Sequence, residues 1–388
     1  MFSSPGQPIR LLMVSAIVAL VAACGGGGSG DSSPPPSNGG GATPPADPKP
    51  DFTEVDETFQ TFINESIVFD GISYVVVDAQ GTLHTATFGD HSIDTVVMLA
   101  STSKVPAVMT LMALEEDPAS SFDMNQPIGE VLPFDGVYAN RTPAQLVSNT
   151  SGIPGLRQLA LYGPHLCQFS NEAAIEFENC GQILVSVPLP DSHDAGSIFD
   201  YGGSQWQLAG VTAAVSANAT WNQLVDQYFG IPCDLEVFTF GNMWENLLEW
   251  DGTPGSLRGQ ANPNIEGGAI TNLADYATLL QIHLNGGYCG ETQVLSEAAL
   301  SEMRLDRGGV VAKDPRPYGM GWWINADNPG VYDDPGAFGS VSFLDIERGF
   351  GGYVAIDDYT GVDADAPARL VRREIIPLLQ AAFDAVAQ

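Results

Sequence analysis

The 388-residue sequence predicts an α/β protein of the α+β kind. One antiparallel sheet is built from both ends of the chain, with flanking helices and a helical region inserted between them. Two observations lead there: strand-like runs gather near the two ends of the globular part, and the long middle reads as helices and loops. Hydrophobic residues make up 44% of the chain, enough for a substantial core.

The elements follow in order. "DFTEVDETFQTFINESI" (51–67) places apolar residues near helical spacing, so a helix opens the body. "GISYVVVDAQGTLHTATFGD" (71–90) gives two strands joined by a glycine-containing turn. "VPAVMTLMALEED" (105–117) consists of good helix formers, with Pro106 acceptable because it falls in the first turn. "GSVSFLDIERGFGGYVAIDD" (339–358) gives two further strands, and "ARLVRREIIPLLQAAFDAVAQ" (368–388) an amphipathic terminal helix interrupted or kinked at Pro377.

The balance of 14 basic against 47 acidic residues, a formal net charge of −33, sets a field that repels nucleic acid and anionic headgroups. At the N-terminus, Arg10 precedes the apolar run "LLMVSAIVALVAAC", too short to span a membrane as an ordinary helix. Val21-Ala22-Ala23 before Cys24 resembles a bacterial lipoprotein signal, whose cysteine is lipidated and becomes the mature N-terminus. Gly25 in the next position then implies the outer membrane. The expected organisation is a signal peptide at 1–23, the lipidated Cys24 with a Gly/Ser/Pro-rich tether at 24–52, and one catalytic domain at 53–388. The expected location is exported and lipid-anchored to a bacterial membrane.

Cys167, Cys180, Cys233 and Cys289 remain, an even set that suggests two disulfides in an exported protein. Of the three possible pairings, Cys167–Cys180 with Cys233–Cys289 is favoured. No cysteine spacing, and none among His84, His91, His165, His193 and His283, matches a metal site, so no metal or cofactor is expected. The acidic run Asp357, Asp358, Asp363 and Asp365 fails the EF-hand spacing and reads as a solvated loop.

Chemistry is expected at "MLASTSKVPAVMTL". The chain holds three lysines, Lys49, Lys104 and Lys313, and Lys104 lies one helical turn beyond Ser101. Residues i and i+3 share a helix face, so the amine reaches the serine oxygen. The helix N-terminus presents backbone N–H groups that stabilise developing negative charge. A lysine among apolar neighbours loses solvation, which favours its neutral, basic form. The bland alternative is a serine cap followed by a surface lysine.

Further segments decide between the two. "LASTSKVPAVMTLMALEE", "RTPAQLVSNTSGIPG" (141–155), "AGSIFDYGGSQWQLAG" (195–210), "NPNIEGGAITNLADYATLLQIHLNGG", "YGMGWWI" and "GAFGSVSFLDIERG" occur in the order expected of one superfamily. Together they resemble the serine β-lactamase and penicillin-recognising enzymes, nearest the branch holding class C β-lactamases, D-Ala-D-Ala carboxypeptidases and family VIII esterases. The resemblance implies the β-lactamase/transpeptidase-like fold, with Ser101 as nucleophile and Lys104 and Tyr201 as general base and acid. It also implies an oxyanion hole formed by the N–H groups of Ser101 and Ala337.

Two departures bear on substrate. Gly203 stands where the Tyr-x-Asn motif has its asparagine, an amide that bonds substrate or lysine, and Ser204 follows with a hydroxyl. Asp334-Pro335-Gly336 stands where Lys-Thr-Gly or His-x-Gly is usual, with Gly336 allowing close backbone approach. An ionised Asp334 would repel the carboxylate that the family's cation attracts, so a neutral ester or amide, or a cationic compound, is the expected substrate. Trp322, Trp323 and Phe338 are candidates for lining an acyl pocket. The rival readings are a β-lactamase or D-Ala-D-Ala carboxypeptidase, and a non-catalytic surface-binding lipoprotein that keeps the fold.

Overall fold

The computed structural model describes residues 49–387 apart from 158–162, 171–174, 245–251 and 360. The expected signal peptide, Cys24 and most of the tether lie outside the described residues. Helix α1 (Thr53–Glu65) leads into strands β1 (Gly71–Asp78) and β2 (Gly81–Gly89). Near the other end come β3 (Trp323–Ile324), β4 (Val331–Pro335), β5 (Gly339–Asp345) and β6 (Phe350–Asp357). These six strands form one antiparallel sheet in the order β2-β1-β6-β5-β4-β3. Within it β1 pairs with β6, so the first and last strands in sequence meet, as expected.

Both faces of the sheet are covered, and the period-two alternation of each strand divides its side chains between two cores. From β1, Ile72, Tyr74 and Val76 enter one core, while Val75 and Val77 enter the other. In β6, Val354 and Ile356 go one way, and Tyr353 and Ala355 the other. The first core is closed by Val55, Phe59 and Ile63 of α1 and by Val371, Ile375 and Leu379 from the C-terminal helical segment. Six fully committed apolar residues on two covering helices, each contributing about 1.5–3 kcal/mol on burial, hold both chain ends to the sheet.

The C-terminal helix is interrupted, but ahead of the proline. Ala366–Leu370 is α-helical, Val371–Ile375 forms a π turn, and Ile376–Val386 is α-helical again. Pro377 has no N–H to donate and crowds the carbonyl four residues earlier, so the register slips in the turn before it. Of the acidic run, Asp363 pairs with Arg369 at 2.7 Å, whereas Asp358 is buried rather than solvated.

The second core lies between the sheet and the helical middle of the chain. It contains α2 (Lys104–Glu116), α3 (Ser204–Ala217) and α4 (Leu273–Leu284), the last packed on β1 and β6. Helices α2 and α3 are buried on nearly every side through their first ten residues, which is why neither shows a one-sided apolar stripe. A small sheet of Val97–Met98, Ala269–Thr271 and Thr239–Phe240 leads the chain into α2. The cysteines pair as favoured, with Cα–Cα separations of 5.6 Å for Cys167–Cys180 and 5.1 Å for Cys233–Cys289. Among the described residues, no helix is long and apolar enough to cross a membrane.

Candidate active site

Ser101 sits in a short 3-10 turn, Ala100–Ser103, that runs directly into α2. Three hydrogen bonds fix this turn. Leu99 N–H donates to the Ala269 carbonyl at 2.9 Å, Ser103 Oγ accepts from Ala269 N–H at 3.0 Å, and Thr102 Oγ1 donates to the Asp334 carbonyl at 3.0 Å. Ala100 is held at φ 45°, in the left-handed region that a side chain resists. Such strain beside the expected nucleophile persists because the surrounding contacts over-determine it. Ser101 itself is partly exposed, and its neighbours are buried.

Lys104 begins α2 and is fully buried. Its Nζ donates to Ser101 Oγ at 3.1 Å and to the Glu266 carbonyl at 3.0 Å, and lies 3.7 Å from Glu266 Oε2. Tyr201, from the loop preceding α3, interacts through its hydroxyl with both Ser101 and Lys104. Its ring centroid is 4.8 Å from Nζ, and the Trp206 ring lies 5.3 Å from Nζ on α3. The three residues taken from sequence as catalytic therefore converge, although a hundred residues separate Lys104 from Tyr201 in the chain.

The charge state of Lys104 differs from the expectation. Burial pulls its pKa down, but Tyr201, Glu266 and Asp334 together outweigh burial and the net direction is up. That direction runs against the expected neutral amine, with the Glu266 carboxyl 3.7 Å from Nζ. Burial likewise raises Tyr201, so its phenol is protonated at rest.

Several expected substrate contacts are not at the surface. Trp322 is fully buried and packs edge-on against His283 in the second core. Its neighbour Trp323 takes the site position instead, with its ring 5.0 Å from that of Tyr201 and from that of Tyr318. Alternation along β3 decides which of the adjacent tryptophans faces the site. Ser204 is also buried and bonds His165 Nδ1 at 2.7 Å. The opposite ring nitrogen of His165 donates to the Val187 carbonyl at 2.6 Å, and burial keeps that imidazole neutral. Ser204 therefore does not replace the missing amide. Gly203 is buried as well, and its N–H is spent on Glu266 Oε2 at 2.7 Å.

Asp334 lies in β4 with no exposed surface. Burial drives its carboxyl well above the usual range, against Lys104 and a backbone interaction from Val105 that favour the anion. It is a neutral acid at neutral pH, so the predicted repulsion of carboxylate substrates does not arise from it. What remains of that departure is the absence of a cation. Gly336 is where the close approach was expected: a Cβ there would come 2.1 Å from the Leu99 carbonyl oxygen and 2.8 Å from Thr102 Oγ1. Ala337, next in the turn between β4 and β5, is exposed. Phe338 packs at 5.3 Å from both Trp244 and Tyr359. A Cβ on Gly267 would touch Trp244 at 2.9 Å and the Ala100 backbone at 3.4 Å, which places this aromatic wall beside the nucleophile turn.

Two contributors were not singled out from sequence. Asn149, in the left-handed conformation, accepts from the Gly202 N–H at 2.9 Å and from Trp206 Nε1 at 2.8 Å, tying the Tyr201 loop to α3. Glu266, only 3% exposed, lies against Lys104. Its one signal in the sequence was a charge between apolar Ile265 and a pair of glycines. Among the described residues, no group of three or more His, Cys, Asp or Glu is placed to hold a metal.

Comparison with known proteins identifies the fold. A putative beta-lactamase from Bacteroides dorei superposes with a TM-score of 0.68 at 20% identity, covering 86% of this chain and 100% of that one. A family VIII carboxylesterase gives 0.62 at 16% identity, covering 86% and 97%. A D-stereospecific amidohydrolase from Streptomyces sp. gives 0.59 at 17% identity, covering 83% and 98%. No curated protein sequence matches the chain. The family model named Beta-lactamase matches residues 55–375, and the chain belongs to this family as a serine hydrolase.

Proposed function

We propose that the protein hydrolyses an uncharged ester or amide through an acyl-enzyme on Ser101. The observation that carries this is the 3.1 Å contact between Lys104 Nζ and Ser101 Oγ in a dry site also reached by the Tyr201 hydroxyl. In the competent form the cluster has lost one proton. As Ser101 Oγ bonds the substrate carbonyl carbon, its proton passes to the Lys104 amine and the carbonyl electron pair moves onto oxygen. The N–H groups of Ser101 and Ala337 stabilise that oxyanion, on the close approach that Gly336 allows. Tyr201 carries the proton on to the leaving group, and water then attacks the acyl-enzyme by the reverse relay.

Substrate class follows from the walls. Trp323 and Tyr318 on one side, and Trp244 and Phe338 on the other, suit an apolar acyl group. With a neutral acid at position 334 and a net charge of −33 on the whole chain, nothing here favours an anionic substrate. The likenesses include beta-lactamase, esterase and amidohydrolase folds alike, so this choice rests on the walls and charges of the site. We further propose that the domain is held at a bacterial membrane by a lipid on Cys24, which metabolic labelling with a fatty-acid analogue would test.

The test is a fluorophosphonate probe, followed by a panel of p-nitrophenyl esters, anilides and nitrocefin. Labelling should occur in the native protein and vanish in Ser101→Ala, with short apolar esters turned over fastest. A folded native protein that neither labels nor turns over any of the panel would instead be the non-catalytic binder. Nitrocefin as the best substrate would make it a β-lactamase.

A further inference from the structure

The site lacks the asparagine amide that the family motif places beside the lysine, and its backbone excludes one. Gly203 adopts φ 85° and ψ −168°, a region closed to residues with a Cβ. The place is filled from elsewhere in the chain. Glu266 Oε2 accepts the Gly203 N–H at 2.7 Å, would sit 3.0 Å from a Cβ on Gly202, and lies 3.7 Å from Lys104 Nζ. The carbonyl of the same residue accepts from Nζ at 3.0 Å. One residue thus holds the lysine from two directions.

A purely structural part would not need the charge. Glu266 Oε1 receives one donor, Gln168 Nε2 at 3.3 Å, while Gln168 Oε1 is buried without a partner among the described residues. A glutamine at 266 would still accept the Gly203 N–H and, with the Gln168 amide turned over, donate to its oxygen, satisfying as many groups without burying an anion. Burying a carboxylate is costly unless its charge is used. Here the charge faces the amine that must receive a proton where water is excluded.

Building on the acyl-enzyme reading above, we propose that Glu266 is a positioning residue that replaces the absent asparagine: it fixes Lys104 against Ser101 and stabilises the ammonium formed when the serine's proton is taken. The balance is simple. The Ser101 O–H proton moves to the Lys104 amine, the Oγ electron pair forms the bond to carbonyl carbon, and Glu266, whose carboxyl burial raises against the pull of Lys104 and the Gly203 N–H, is the anion beside the new cation. The other groups facing Lys104 are Tyr201 from the loop before α3 and Asp334 from β4. Tyr276 and Tyr318 border that acid, and Asp333 and Arg372 lie beyond it. Of these, Tyr201 also feels the Glu266 charge, which raises its phenol, so removing the anion eases deprotonation of both lysine and tyrosine.

The experiment measures the rate of fluorophosphonate labelling of the full chain from pH 6 to 11.5, a range that reaches above the ordinary lysine value towards the plateau, for the native protein, E266Q and E266D. Removing the anion makes the ammonium easier to deprotonate, so the acidic limb of E266Q should move down by about one pH unit or more while its plateau falls at least about tenfold. E266D, which keeps the charge, should hold the native midpoint. Native and E266Q midpoints that coincide would overturn the proposal, since glutamine keeps the size and shape of the side chain. If E266Q does not fold, E266A with added small acids replaces it: rescue by formate and not by formamide supports the charge role, and any other pattern refutes it. A native protein that fails to label at Ser101 would sink the nucleophile reading itself, a distinct result from labelled proteins with superimposed profiles.

Discussion

Asp334→Asn should stabilise this protein at neutral pH and do so less as the solution is acidified. Asp334 has no exposed surface, and neither carboxyl oxygen makes a well-formed side-chain hydrogen bond among the described residues. Its folded pKa lies well above the ordinary value of 3.8, with burial as the leading cause. In the unfolded chain it ionises near that ordinary value, so between the two the unfolded state releases a proton that the native state keeps. The sign follows: native stability falls as pH rises through this window, by about 1.4 kcal/mol per pH unit. Holding the acid neutral therefore costs stability at neutral pH. Asparagine has nearly the same shape and never pays that cost. Its own buried amide adds a penalty of about 1–3 kcal/mol, but that penalty does not change with pH. The clean quantity is therefore the change in the difference between the two proteins. Urea unfolding at pH 5 and pH 7, followed by tryptophan fluorescence with disulfides intact, should show the asparagine variant gaining stability on the native protein between them. Parallel stability curves would mean that Asp334 is ionised in the fold, and the argument for a neutral acid beneath the nucleophile would fail.

Two further outcomes test the site's construction. Tyr201→Phe removes one hydroxyl from an aromatic cluster and keeps its packing on Trp323 and Tyr318, so ester turnover should fall about 10²–10⁴-fold while unfolding shifts by less than about 1 kcal/mol. A comparable loss in stability would make the residue architectural. Gly336→Ala should destabilise by about 3 kcal/mol and also slow labelling of Ser101, because its Cβ would stand 2.1 Å from the Leu99 carbonyl and push the nucleophile turn aside. Native stability and labelling rate in this variant would show that the turn is not constrained as drawn.

Local physics made much of this molecule legible from its sequence. The strands at both ends announced themselves because β1 and β6 alternate between two cores and carry β-branched and aromatic residues through both. Ser101 and Lys104 were readable because a helical turn fixes their distance whatever the rest of the fold does. Tyr201 was legible only by resemblance, since nothing in its neighbourhood says that the loop before α3 will fold back on α2. The errors share one cause. Trp322 and Trp323, Ser204, and the charge states of Lys104 and Asp334 all depend on which neighbours are buried beside them, and burial is set by segments distant in the chain. Of the two candidate tryptophans, Trp323 stands by Tyr201 and Trp322 is in the core, and His165, 39 residues away, claimed the Ser204 hydroxyl.

The same reasoning explains why Glu266 stayed hidden while the gap it fills was visible. A missing asparagine is a property of one position, readable as Gly203 in a recognised motif. Its replacement is a property of space, because a carboxylate 63 residues further along meets the Gly203 N–H only once α3 and the Ala269–Thr271 strand have both packed on α2. The two changes are coupled through the backbone. With a side chain at 203 the loop could not take φ 85°, and the Gly203 N–H could not be presented to Glu266 in the observed geometry. With glycine there and no acid at 266, Lys104 would keep the Glu266 main-chain carbonyl and Ser101 as partners and lose its only nearby carboxylate on that side. Either change alone leaves the lysine poorly held. Together they restore a fixed amine, and they exchange a neutral amide for an anion, which is why the pH dependence of Ser101 reactivity reports on this pair.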